Sequence, residues 1–285
     1  MKIFHTPECL SYRIPGHPES PDRVRLIACY LRDRGYDFVE PEACTEADVL
    51  HAHSPAHLDR VRHETFLDGD TPPFPGILSL AMRSAGGAIQ AARHSREGGH
   101  AFSLMRPPGH HADRDTVMGF CYLNNMAIAV GTMLHERPGL KAAVLDIDCH
   151  HGNGSETILA RRENVLFISL HQSPLYPGTG LTSYDNIHNY PLPPLTGGGL
   201  YLKTLMKACD TIAAFGPDIL GISAGFDTFQ EDPLTAMQID VDDYSRIGTA
   251  IAALEIPAFS VLEGGYHQKL GECVDAFLRP FGGPE

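Results

Sequence analysis

The chain has 285 residues, 43% hydrophobic and 20% charged, the balance of an ordinary soluble globular protein. Its net charge of −13 argues against nucleic acid as a direct partner and leans toward a cationic small molecule or a Lys-rich peptide. Seven cysteines with no CxxC pair and no regular spacing argue against a disulfide framework or a Cys-only zinc site, and fit a reducing cytoplasm. The opening MKIFHTPECL has no long apolar segment, so no signal peptide is expected. No apolar run approaches the roughly 18 residues of a membrane-spanning helix. A length of this order fits a single α/β domain.

Lys2–Phe4 reads as an edge strand. In HPESPDR (His17 to Arg23) the Ser20-Pro21 step is a helix start, and Val24, Ile27, Ala28 and Leu31 recur at helical spacing until Gly35. His51 to Val61 carries three histidines, read as a polar helix and its entrance because no carboxylate completes a ligand set. Asp68 to Pro73 is a turn-rich loop. Ala-rich Ile77 to Arg93 predicts a buried helix in which Gly86-Gly87 allow close packing. Phe102 to Leu104 predicts a strand, and the loop Arg106 to Asn125 presents the pair His110-His111.

Lys141 to Gly154, KAAVLDIDCHHGNG, is the most informative stretch. Its apolar start predicts a buried parallel strand. Asp146, Asp148 and His150 alternate, so they share a face where the strand ends. Buried carboxylates are costly unless paired or bound to metal.

Val165 to Leu170 predicts another strand, and Gln172 to Gly199 a long Pro- and Gly-rich loop containing LYPGTG. Leu202, Leu205, Met206, Cys209, Ile212 and Ala213 form a helical stripe. Asp218 to Ala224 predicts a strand leading into Gly225-Phe226-Asp227. Tyr244, Ile247, Ile251 and Leu254 mark a helix, and Ala258 to Leu262 a last strand before Glu263-Gly264-Gly265-Tyr266. The alternation predicts an open parallel α/β sheet. His110, His111, Asp148, His150, Asp227 and Tyr266 all follow strand ends, where such sheets bind ligands.

Two carboxylates and one imidazole, with a coordination position left open, suit a catalytic zinc and would also accept Fe(II) or Co(II). His111 is the candidate base and later acid, and Tyr266 the candidate oxyanion donor. Asp146 is placed to orient a neighbouring histidine. Asn153 could do the same for the other one, without bringing charge.

The segments RPPGHHA, GFCYLNN, DIDCHHGNG, SLH with YPGTG, SAGFD and LEGGY resemble, in this order, the metal-dependent family of histone deacetylases and acetylpolyamine amidohydrolases. The resemblance runs from HPESPDR nearly to the end. It is similar to the class II-like, bacterial-type branch, with Asn153 where class I members carry Asp. It implies a single zinc-dependent deacetylase domain over residues 1–285, with the arginase/deacetylase-like three-layer fold: a central, mostly parallel sheet flanked by helices.

The resemblance also implies zinc on Asp148, His150 and Asp227, and potassium at Asp146, Asp148, His150, Ser169 and Leu170. Tyr266 would polarise the acyl carbonyl, His111 would be the base or acid, and His110 would be held by Asp146. Gly119, Phe120, Tyr176, Leu234, Gly264 and Gly265 would form the substrate channel, with Asp70 at its rim.

The implied reaction is hydrolysis of an acyl amide. FDTFQEDP is similar to bacterial acetylpolyamine amidohydrolases, but their early insertion is missing from the short Cys9 to Ser20 region. Asp232-Pro233-Leu234-Thr235 lacks the gate glutamate of the polyamine-selective eukaryotic relative. Acyl-lysine is therefore the expected substrate and acetylpolyamine the alternative. A binuclear manganese hydrolase of arginase type would need a second carboxylate in Asp227-Thr228-Phe229. A non-catalytic binder of acylated amines would need neither His111 nor Tyr266.

Overall fold

The computed structural model describes residues 1–284. Among them one sheet holds β1 (Lys2–Phe4), β2 (Asp37–Val39), β3 (Ala101–Ser103), β4 (Ala142–Asp146), β5 (Val165–Gln172), β6 (Ile187–Leu192), β7 (Ile219–Ala224) and β8 (Ala258–Leu262). The spatial order is β2-β1-β3-β8-β7-β4-β5-β6, and every pairing is parallel.

Alternation along the strands explains their continuous apolar runs. Ala143, Leu145, Leu166 and Ile168 enter one core, with α1 (Pro21–Asp33), α7 (Gly198–Phe215), α8 (Val241–Ala252) and α9 (Leu270–Leu278). Ala142, Val144, Val165 and Phe167 enter the other, with α3 (Pro55–Arg62), α4 (Ile77–Arg96) and α5 (Asn125–Glu136). A sheet covered on both faces has no polar side to show. Two short helices complete the set, α2 (Glu46–Val49) and α6 (Asn153–Leu159). Among the described residues no helix is long and apolar enough to cross a membrane.

After β4 the chain winds outward through β5 and β6, then returns to place β7 on the other side of β4. The carboxyl ends of β4 and β7 therefore flank the topological switch point, where a crevice opens in sheets of this kind.

The elements depart from expectation in three places, and a fourth, α5, was not anticipated. β1 is not an edge strand, because β2 pairs outside it. The loop expected over Gln172 to Gly199 contains β6, an edge strand whose Pro191 interrupts the apolar pattern. α5 shows no amphipathic stripe because Asn125 to Met133 are buried without a break. The segment His51 to Val61 is a helix with its entrance, as expected, since α3 begins at Pro55, but it is not polar. His53 and His57 are buried and stacked, with ring centroids 4.5 Å apart, and Leu58 and Val61 are core residues.

Candidate active site

β4 ends at Asp146, and the turn beyond it carries Asp148 and His150; Asp227 lies just past β7. One ligand atom from each of Asp148, His150 and Asp227 falls within 4.8 Å of the other two. His150 Nδ1 lies 3.1 Å from Asp148 Oδ1 and 2.7 Å from Asp227 Oδ2. The remaining carboxylate oxygens are held by backbone: Gly264 N–H donates to Asp148 Oδ2 (2.7 Å) and Cys149 N–H to Asp227 Oδ1 (2.8 Å).

Three observations test whether a divalent cation suits this set. Asp227 Oδ2 is buried and makes no hydrogen bond, despite its closeness to His150. A Cβ on Gly264 would come within 2.6 Å of Asp148 Oδ2 and 2.7 Å of Asp227 Oδ2, so the residue facing the oxygens must be glycine. Burial, reinforced by the charge of Asp148, pushes Asp227 up to about 6, the strain of two carboxylates sharing a dry site. A dication relieves all of this. The residues fit one.

The adjacent histidines have unlike partners. His110 Nδ1 lies 3.0 Å from Asp146 Oδ2, whereas His111 Nδ1 lies 2.8 Å from the neutral Asn153 Oδ1. Burial opposes a charge on His110, but Asp146 and then Asp148 override it and lift His110 to about 10. Burial, then the neighbouring His110 and His150, hold His111 well below the ordinary imidazole value. The surroundings thus favour the charged form of His110 and the neutral form of His111.

Tyr266 follows β8 on the Gly264-Gly265 turn. Its N–H donates to Asp232 Oδ2 (2.7 Å), its ring lies under the Arg23 guanidinium (4.6 Å), and its edge meets Phe120 (5.9 Å). Burial raises its hydroxyl well above the usual phenol value, so it stays a donor.

Several of these groups share one cavity of about 230 Å³, though Asp227 is not among its lining residues. His110, His111, Asp148, His150, Gly264 and Tyr266 line it, as do Gly119, Phe120, Tyr176 and Leu234, with Asp70 among them. Phe120 takes φ 70° after Gly119 at φ 57°, and its N–H is fixed to Thr71 Oγ1 at 2.8 Å. Gly265 is not among the lining residues. Its φ of 118° turns the chain, and its carbonyl accepts from Arg23 Nε at 2.6 Å. Ser169 lies opposite Asp146 in the β4–β5 register, and both are buried with Leu170. Ser169 Oγ is also 2.9 Å from His171 Nδ1.

The histone deacetylase domain family model matches residues 17–280. The chain belongs to the histone deacetylase family. It is 39% identical over 306 aligned positions to a probable deacetylase of Methanothermobacter thermautotrophicus, covering 100% of this chain and 92% of that protein. It is 42% identical over 211 positions to acetylpolyamine amidohydrolase 1 of Pseudomonas aeruginosa, covering 70% and 60%. Among solved structures, acetylpolyamine aminohydrolase from Burkholderia pseudomallei superposes with a TM-score of 0.91 at 28% identity, over 99% of this chain and 98% of that one. The HDA15 HD domain gives the same score and identity, over 99% and 90%. This deacetylase-family chain is a hydrolytic enzyme acting on acetyl amides, in a metal-dependent family.

Sequence reasoning missed the buried ionic frame behind this candidate site. Glu19 accepts from Arg106 Nε and Nη2, both at 2.7 Å, from Arg23 Nη1 at 3.0 Å, and from the Tyr12 hydroxyl. Arg106 Nη1 also holds the Cys9 carbonyl at 2.7 Å. Asp232, which burial and then Asp227 push up to about 7, accepts from the N–H groups of Leu234 and Tyr266. The residues of the frame lie in two segments the sequence did single out, HPESPDR and RPPGHH, but nothing in either names the other as its partner.

Proposed function

We propose that this chain is a zinc-dependent deacylase, one domain over residues 1–285, acting in the cytoplasm on acyl-lysine side chains of proteins or peptides. What carries the reading is that His111, held by the uncharged Asn153, and Tyr266 line one cavity with Asp148 and His150, beside the convergence of Asp148, His150 and Asp227. Potassium at Asp146, Asp148, His150, Ser169 and Leu170 belongs to the same proposal.

When bound by Asp148, His150 and Asp227, a divalent ion polarises the acyl carbonyl and acidifies a water molecule. His111 keeps its Nδ1 proton on Asn153 Oδ1, which leaves Nε2 to take a proton from the attacking water and deliver it to the leaving amine. His110 stays cationic against Asp146 and thereby keeps its neighbour neutral. The Tyr266 hydroxyl donates to the carbonyl oxygen as negative charge builds there. Phe120 and Tyr176 wall the alkyl chain, and Asp70 receives donors of the substrate main chain or amine.

Acetylated polyamines are the second reading, supported by relatives named acetylpolyamine amidohydrolase. Against it stands Leu234 in the cavity wall, an apolar group with nothing to offer an internal ammonium. Turnover of an acetyl-lysine peptide is to be compared with that of acetylputrescine by the zinc-loaded protein. Faster hydrolysis of the peptide is expected. A strong preference for acetylputrescine reverses the substrate, and no turnover of either rejects the function.

A further inference from the structure

Glu263 follows β8 and is fully buried. Its carboxylate is met by neutral donors: Oε2 accepts from the successive N–H groups of Gly109 (2.7 Å) and His110 (3.1 Å), and Oε1 from Ser223 Oγ (3.2 Å). The nearby Arg23 guanidinium binds the Glu263 carbonyl oxygen instead. A buried carboxylate satisfied by neutral donors is a costly choice at a site bordered by apolar strand. Burial accordingly pushes it up to about 7, against the pull of His110.

The contacts show what that cost secures. Two consecutive amides aimed at one oxygen form a small anion nest. These amides begin the turn that presents His110 and His111. The turn's other backbone ties run through its carbonyls, Pro107 O to Asn125 Nδ2 (3.0 Å) and to Ser84 Oγ (2.9 Å), and His110 O to Ser155 N (3.1 Å), while the rings of His110 and His111 are held separately by Asp146 and Asn153. On the other side Glu263 is continuous with Gly264, whose N–H holds Asp148, and stands three residues before Tyr266. Ser223 belongs to β7, the strand that delivers Asp227. One side chain thus joins the histidine turn to the strand ends carrying the tyrosine and an aspartate.

We propose that Glu263 is a positioning residue: its carboxylate sets the registration of the His110–His111 turn against the Gly264–Tyr266 turn, and turnover depends on that registration. The inference rests on the roles proposed above for His111 and Tyr266. Small displacements of reacting groups cost rate rather than ground-state binding.

Glu263→Ala, and Glu263→Met as a volume-matched variant without an acceptor, are expected to lose on the order of 10–100-fold in kcat. KM and metal content should hold steady. Glu263→Gln should recover most of the loss, since its amide oxygen can accept from Gly109 and His110 while its NH₂ donates to Ser223 Oγ. Wild-type kcat in either deletion variant, or a Gln variant no better than Ala, overturns the proposal. Hydrogen exchange on the unaltered protein adds a readout that needs no variant to fold. The Gly109 and His110 amides should be protected, and fast exchange there also overturns it. If wild type turns over no acylated amine while those amides are protected, the functional reading has failed and the tether has not.

Discussion

His111 Nδ1 is 2.8 Å from the side-chain oxygen of Asn153, a partner that orients the ring without charging it. Asp146 does the opposite for His110. Exchanging the neutral partner for an anion should therefore change the acid–base behaviour of His111 more than its position. Asn153→Asp is expected to raise the His111 pKa, because an adjacent carboxylate favours the imidazolium. A base must be unprotonated to act, so the acidic limb of kcat/KM should move to higher pH, by on the order of one to two units. A pH profile that superposes on wild type rules out His111 as the base.

Tyr266 and Asp227 should separate by readout. Tyr266→Phe removes the proposed oxyanion donor and should cost on the order of 10²–10³ in kcat, with metal content unchanged. Asp227→Asn should abolish activity by emptying the site, as chelation should in the wild type, with recovery on adding zinc in the latter case only. Elemental analysis beside kinetics distinguishes them. Loss of metal from the phenylalanine variant contradicts the role given to the hydroxyl.

The Glu19 frame makes a prediction about stability. Burial disfavours the Glu19 anion, but Arg106 and then Arg23 outweigh it and hold the carboxyl at about 2. The stabilisation is therefore present above the ordinary glutamate range and fades as pH falls through it toward 2. Glu19→Gln leaves Arg106, itself fully buried, without its counter-ion. The expected cost is about 3–5 kcal/mol at pH 7, read from urea unfolding. A loss below about 1 kcal/mol would mean that neutral hydrogen bonds suffice.

His100 gives a pH test far from the chemistry. It is buried against Ser260 and stacked on Phe281, and burial holds it at about 3, with the chain's amino terminus adding to the effect. Between about 6.5 and 3 the unfolded chain binds a proton that the folded one refuses, so His100 destabilises the fold as pH falls through this window. Raised carboxyls such as Asp232 and Glu263 act in the opposite sense, so the informative quantity is a difference. The stability of wild type minus that of His100→Gln should fall by about 1.4 kcal/mol per pH unit below 6.5. A difference that stays flat from pH 7 to 5 refutes it.

Much of the site was legible because strand ends announce themselves. An apolar run that stops at Asp146, Ala224 or Leu262 and gives way to His, Asp or Gly-Gly marks where backbone leaves the sheet, and in a parallel sheet those ends lie along one edge. Strand β6, helix α5 and the place of β1 were not legible, since a proline at an edge and burial on all sides erase the periodicities a reader uses.

By itself the amino-acid order determined the candidate ligand types, the paired histidines and the tyrosine, because each depends on local chemistry at a strand end. Tertiary structure alone decided that β7 lies beside β4, bringing Asp227 to Asp148. It also decided that Glu19 neutralises Arg106 and that Glu263 reaches the Gly109 and His110 amides. These pairings join residues from 79 to 154 positions apart. No periodicity encodes such pairings; they arise when burial removes water and each stranded charge or donor must find a partner within reach.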